Sequence, residues 1–357
     1  MIRRRNFLRA AGAGGLLALP NAAWAHVTRI GASQAGANAL AILAGGPPGG
    51  RIDRWSRATA QALLAGFAAH TTIRVETVGG LDGVTAANRS QNLVVPNGRT
   101  ATMLPGTAAI AFLTNDPRVH FQPDDFVPVM GGLNPLVLVV RGGLQRLSSP
   151  VPLRVAAASP ESGDLAGLLG LARLGVPVAP VFGLNGTRAK SRAFADKQAD
   201  ALLLFGEGVA EDVAPLTAEG GIAICTLGLS GPDASANRIE AIAPFSHLPS
   251  LDALVAARGG SALSKPLDQA YRALACVGAI DFMLLLPHLT APTNIALWRY
   301  ASAQAIEQPV MQDAASASDV TLIAGINAAA AVAPLATGAD ALLALNRYLA
   351  AQYGWHR

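Results

Sequence analysis

The chain has 357 residues, 51% hydrophobic and 14% charged, with 27 Lys and Arg against 23 Asp and Glu. That basic surplus sits in Arg3, Arg4, Arg5 and Arg9; subtracting these four from 27 leaves 23 basic against 23 acidic residues, which excludes a charge-driven nucleic-acid or anionic-membrane partner. After residue 25 no apolar run reaches the roughly 20 residues of a membrane span, and even 278–289 is interrupted by Asp281, Pro287 and His288, so a soluble protein is expected.

Residues 1–25 read as a twin-arginine signal peptide. A basic start and Asn6-Phe7-Leu8 precede a short apolar run over 10–19, and Ala23-Trp24-Ala25 supplies a small-x-small cleavage site. Gly12, Gly14, Gly15 and Pro20 disfavour the alternative, an amphipathic first helix. The mature chain is expected to begin near His26 and to work in the periplasm. Its remaining length exceeds what one hydrophobic core usually covers, so two domains are expected.

From residue 39 onward, strand and helix patterns alternate. A buried strand over 40–44 ends in Gly45-Gly46-Pro47-Pro48-Gly49-Gly50, after which Asp53 opens a helix with Trp55, Ala58, Ala62 and Leu63 at helical spacing. Strands follow over 72–78 and 99–104, the second ending in Pro105-Gly106-Thr107. Apolar runs over 127–130 and 136–140 flank Gly131-Gly132. Then come a strand over 153–158, a helix from Asp164, a strand over 178–182, a helix from Thr187 and an apolar run over 201–205. This alternation predicts an α/β protein with βαβ units and mostly parallel sheets. After Pro244 the pattern is mainly helical, over 266–277, 292–306 and 338–352.

Cys225 and Cys276 are too few for a disulfide scaffold or metal cluster; a single bridge and two buried thiols both remain open, the thiols being expected. The six histidines show no metal-ligand spacing. No metal and no cofactor is expected.

In parallel sheets, ligands bind beyond the carboxyl ends of strands, where helix N-termini present unpaired N–H groups and the positive end of the dipole. Four loops fit: Gly49-Gly50, Gly106-Thr107, Ser159 with Ser162-Gly163, and Asn185-Gly186-Thr187. Each alone reads as an ordinary capped turn; together they predict one cleft. Enzyme signatures are weaker. The Gly49-Gly50 loop lacks the Lys-Ser/Thr of a P-loop and the spacing of a Rossmann fingerprint, and 228–232 is no nucleophile elbow. Asp124-Asp125 reads as the surface start of a strand. An exported enzyme would require a cluster of titratable groups that the sequence does not show, so none is expected.

The ordered motifs resemble the Bug family, the periplasmic receptors of tripartite tricarboxylate transporters. The resemblance rests on GGPPGGRIDRWSR over 45–57, VGGLDG over 78–83 with Ala86-Ala87-Asn88, Asn97-Gly98-Arg99-Thr100, FQPDDFVPV over 121–129, GLNGT over 183–187 with Ala199-Asp200, and Thr290-Ala291-Pro292. It implies a type II periplasmic-binding-protein fold, two α/β domains joined by two crossing strands around a cleft. Residues 26–126 and 227–357 would form the first domain and 127–226 the second. It further implies a small carboxylate ligand held by loop amides and hydroxyls of Pro48, Gly49, Gly50 and Asp53, of Gly106 and Thr107, of Ser159, Ser162 and Gly163, and of Gly186 and Thr187. Membrane permease subunits or a membrane sensor are the implied partners, and a monomer is expected. Arg51 and Ile52 stand where the family commonly shows Ser-Thr. Arg51 therefore joins the expected ligand set as a cation, and the 159–164 loop is shorter than usual.

Overall fold

The computed structural model describes residues 39–228 and 245–355; the expected signal segment lies outside them. The first lobe opens with β1 (Ala39–Gly45), α1 (Arg51–Leu63), β2 (Thr72–Val78), α2 (Val84–Leu93), β3 (Thr100–Leu104), α3 (Gly106–Leu113) and β4 (Phe126–Leu133). The chain then enters the second lobe: β5 (Leu136–Arg141), α4 (Gly143–Arg146), β6 (Leu153–Ala156), α5 (Leu165–Arg173), β7 (Val178–Val181), α6 (Gly186–Ala195), β8 (Ala201–Leu204), α7 (Val209–Ala218) and β9 (Gly221–Leu227). It returns through α8 (Leu251–Ala257), α9 (Lys265–Ala279), β10 (Ile280–Pro287), α10 (Pro292–Ala305), α11 (Pro309–Ser316), β11 (Thr321–Ala324), α12 (Ile326–Val332) and α13 (Ala339–Tyr353). Among the described residues, no single helix is long and apolar enough to cross a membrane.

The first sheet has the order β11-β4-β10-β3-β1-β2 and the second β7-β6-β8-β5-β9. Among the described strands, parallel ladders are confined to β2-β1-β3 and to β7-β6-β8; β10, β11, β5 and β9 form antiparallel ladders, so both sheets are mixed rather than mostly parallel. β10 is the element least visible in sequence. It lies between β3 and β4 with all eight residues buried, so it carries no alternation to separate it from the helices around it. Residues 127–133, expected to open the second domain, pair with β10 and β11 inside the first sheet, and the chain crosses at Asn134-Pro135. Among the described residues the return runs through the helices α8 and α9, not through a second crossing strand.

Side-chain alternation sets the layers. On β5, Leu136, Leu138 and Val140 face a core shared with α5 and α9, whereas Val137 and Val139 face Phe194 of α6 and Val209 of α7. The apolar stripe of α9 packs on α3 and α13 in one lobe and on α5 in the other, so one core runs through both lobes. The outer face of the first sheet has its own core, where Trp55 of α1 meets Phe282 at 4.5 Å between ring centroids. Buried Arg173 ties α5 to Asp252 of α8 and to Asp268 of α9, the latter at 2.6 Å. Burial raises the Asp268 pKa, but Arg173 and Ser261 outweigh it and hold the carboxyl below its usual value. Cys225 and Cys276 are free and buried, and burial pushes both thiols up to about 12. A thiol with that pKa is almost wholly protonated near neutral pH, which suits packing rather than reactivity.

Candidate functional site

Two adjoining hollows lie between the lobes. The larger, about 480 Å³, is walled on one side by Asp82, Thr107, Ile110 and Arg118, and on the other by Ser162, Gly163, Gly186, Thr187 and Lys190. The second, about 420 Å³, reaches inward to Gly50, Arg51, Ile52, Asn134, Val277 and Asp281. Thr107, Ile110, Gly163 and Phe205 belong to both. Volumes of this size suit a small organic ligand.

The strand order produces this convergence. The loops after β1, β3, β6 and β7 all leave the carboxyl ends of parallel strands and feed helices, so α1 and α3 from one lobe, and α5 and α6 from the other, start around the cleft. At α3 and α6 the first-turn N–H groups of Gly106, Thr107, Gly186 and Thr187 have no backbone acceptor among the described residues. Thr107, Gly186 and Thr187 line the larger hollow from opposite sides, with the positive ends of two dipoles, and Gly106 lines the adjoining one. The Thr107 hydroxyl donates to the Asp82 carbonyl at 3.2 Å. Gly186 has φ of +76°, which a side-chain-bearing residue adopts at a cost. Gly106 is fixed by packing: a Cβ there would lie 2.0 Å from the Val277 carbonyl oxygen of α9.

Eight of the twelve expected residues line the hollows: Gly50, Arg51, Gly106, Thr107, Ser162, Gly163, Gly186 and Thr187. Pro48, Gly49, Asp53 and Ser159 do not, and two of these have internal duties. Asp53 turns back into its own loop, accepting the Gly49 N–H at 2.8 Å and pairing with Arg57 at 3.0 Å. Burial raises its pKa, yet these two partners outweigh burial and the net shift is downward. Ser159 supplies a carbonyl for the Ser162 hydroxyl at 2.8 Å. Arg51 is not a free cation: it pairs with Asp281 at 2.5 Å and with Glu207 across the cleft, and Arg54 also reaches Glu207 at 3.4 Å. Asn134, at the crossing, donates to Asp281 at 3.0 Å. Arg51 Nη2, Asn134 Oδ1 and Asp281 Oδ2 are buried without a hydrogen-bond partner.

Sequence reasoning missed the second lobe's polar anchor. Asp164 (1% exposed) pairs with Lys190 (3% exposed) at 2.7 Å, and Lys190 also donates to the Leu203 carbonyl at 3.0 Å and lies 4.4 Å from the Phe205 ring centroid. Asp164 further accepts the Ala158 N–H at 2.8 Å and the Ser162 hydroxyl at 3.2 Å, tying the 158–164 wall to α6. The signal was present, since Lys190 stands three residues after Thr187 and so shares its helix face. Arg118 is likewise engaged, with Asp82 at 2.8 Å and Asp116 at 2.7 Å. Among the described residues no three His, Cys, Asp or Glu side chains gather as metal ligands.

No family model matches the chain. No curated protein matches it either. Solved structures do. A TctC solute-binding protein from Polaromonas, solved without ligand, aligns with a TM-score of 0.62 at 17% identity, over 87% of this chain and 98% of that one. MatC from Rhodopseudomonas palustris, solved with malate, aligns at 0.51 and 19% identity, over 87% and 99%. A second R. palustris protein, solved with adipate, aligns at 0.50 and 15% identity, over 87% and 98%. The fold implied by the Bug-family resemblance, two α/β domains around a cleft, is thus the fold of this chain, shared with the TctC solute-binding protein and the two R. palustris proteins.

Proposed function

We propose that this chain is a periplasmic solute-binding receptor of the Bug type, not an enzyme, that closes on a small carboxylate and presents it to membrane permease subunits. The observation that carries the reading is the opposed pair of helix N-termini, α3 with Thr107 and α6 with Gly186 and Thr187, which offer N–H groups without a backbone acceptor to one hollow, with Gly106 at the adjoining one. A carboxylate entering a partly desolvated site needs several charge-assisted hydrogen bonds, and these groups supply them without burying a free cation. Two of the structurally similar proteins were solved with malate and adipate, which agrees with that chemistry. Arg51, Arg118 and Lys190 and the carboxylates Asp82, Asp116, Asp164 and Asp281 of the cleft are held in ion pairs, an arrangement that suits binding rather than proton transfer. Ligand contacts to both lobes favour the closed state, and closure about the Asn134-Pro135 crossing is the expected motion.

A thermal-unfolding screen of organic acids tests this reading. A carboxylate at a hundred times its dissociation constant is expected to stabilise the protein by about 2.7 kcal/mol. Stabilisation by neutral sugars or cations, with none by any acid, contradicts it.

A further inference from the structure

Resting on that reading, we infer that the ligand is a monocarboxylate with an apolar body, bound with its carboxylate at α3 and α6 and its body in the inner hollow. Three features of the cleft lead there.

The amides of α3 and α6 are the largest uncommitted set of anion donors in the cleft; Arg51 Nη2 also lacks a partner, but its guanidinium is already shared by Asp281 and Glu207. The three cations that line the cleft, Arg51, Arg118 and Lys190, each already hold a carboxylate of the chain. Five carboxylates line the same walls, Asp82, Asp116, Glu161, Asp164 and Asp281, so acidic groups outnumber basic ones. A second ligand carboxylate would meet this surplus with little beyond Arg51 Nη2, on a guanidinium already shared by two carboxylates, to receive it, so its desolvation would be compensated only in part.

The inner hollow is apolar over most of its wall. Ile52, Leu81, Ile110, Phe205, Val277 and Ile280 face it, and Ile52 stands where a Ser-Thr pair would have been polar. Leu81 is 87% exposed on this wall, a large apolar side chain that a ligand body would remove from water. Asn134 and Asp281 are buried and Arg51 is partly so, and these polar groups are already turned on one another, Arg51 on Asp281 and Asn134 on Asp281. Two acceptors, Asn134 Oδ1 and Asp281 Oδ2, and one donor, Arg51 Nη2, remain without a partner. Two open acceptors against one open donor, with Asp281 and Glu207 already on the Arg51 guanidinium, suit a neutral end or a hydroxyl there better than a second carboxylate.

The matched pair of 3-phenylpropionate and 3-(4-carboxyphenyl)propionate tests the inference by calorimetry, with adipate as a flexible dicarboxylate. The phenyl compound is expected to bind at least about tenfold tighter than either dicarboxylate, the cost of desolvating an unpaired charge. Leu81→Ser, on an exposed side chain, is expected to weaken 3-phenylpropionate about threefold with the melting temperature unchanged. Equal or tighter binding of the dicarboxylates overturns this inference and leaves the receptor reading standing. Binding of no acid at all overturns the receptor reading, and this inference with it.

Discussion

Asp164→Asn is expected to destabilise the protein by about 3–5 kcal/mol, because it strands the Lys190 ammonium in the second lobe. Both partners are almost fully buried, 1% and 3% exposed, and among the described residues the Leu203 carbonyl is the one other hydrogen-bond acceptor Lys190 meets. Lys190→Met strands the carboxylate instead, which keeps the Ala158 N–H and the Ser162 hydroxyl but loses its counter-charge. The double variant Asp164→Asn with Lys190→Met leaves no buried charge, so its loss is expected to fall well below the sum of the single losses. Urea unfolding of the four proteins measures this coupling. Additive losses of under about 1 kcal/mol each would show that the pair is solvated and plays no part in holding the cleft wall.

The second large effect is expected at Gly106. Replacing it with valine places a Cβ 2.0 Å from the Val277 carbonyl oxygen and 2.8 Å from that of Ile280, both backbone atoms that cannot swing aside. Either α3 or the end of α9 must move, at an expected cost of about 3 kcal/mol, the upper end of usual overpacking penalties. α3 also carries two of the N–H donors, so Gly106→Val is expected to weaken carboxylate binding in protein that remains folded. Urea unfolding and calorimetry give the two readings separately. Unchanged stability would mean that α3 and α9 are not seated as closely as described.

The loops around the cleft were legible because the alternation of strand and helix fixes where they lie. Gly106-Thr107, Ser162-Gly163 and Gly186-Thr187 end parallel strands, and parallel strands put their loops on one edge. The crossing point was not legible. The run over 127–133 is apolar on both faces and fits either sheet, and only its pairing with β10 decides. β10 itself was hidden by the same uniform burial. Asp53 shows the limit of motif transfer, since a loop residue expected at the ligand instead holds the loop together. Arg51 shows that a charge in the right loop is not a free charge when Asp281, 230 positions away, accepts it. The Asp164–Lys190 pair joins residues 26 positions apart across two elements, beyond the reach of local pattern.

Amides from both lobes are expected to receive one carboxylate in the shared hollow. Amide NMR of the ¹⁵N-labelled chain during titration with 3-phenylpropionate measures it most directly. The Thr107 and Thr187 signals are expected to shift together along one saturation curve. Saturable binding that leaves either signal in place would contradict the account.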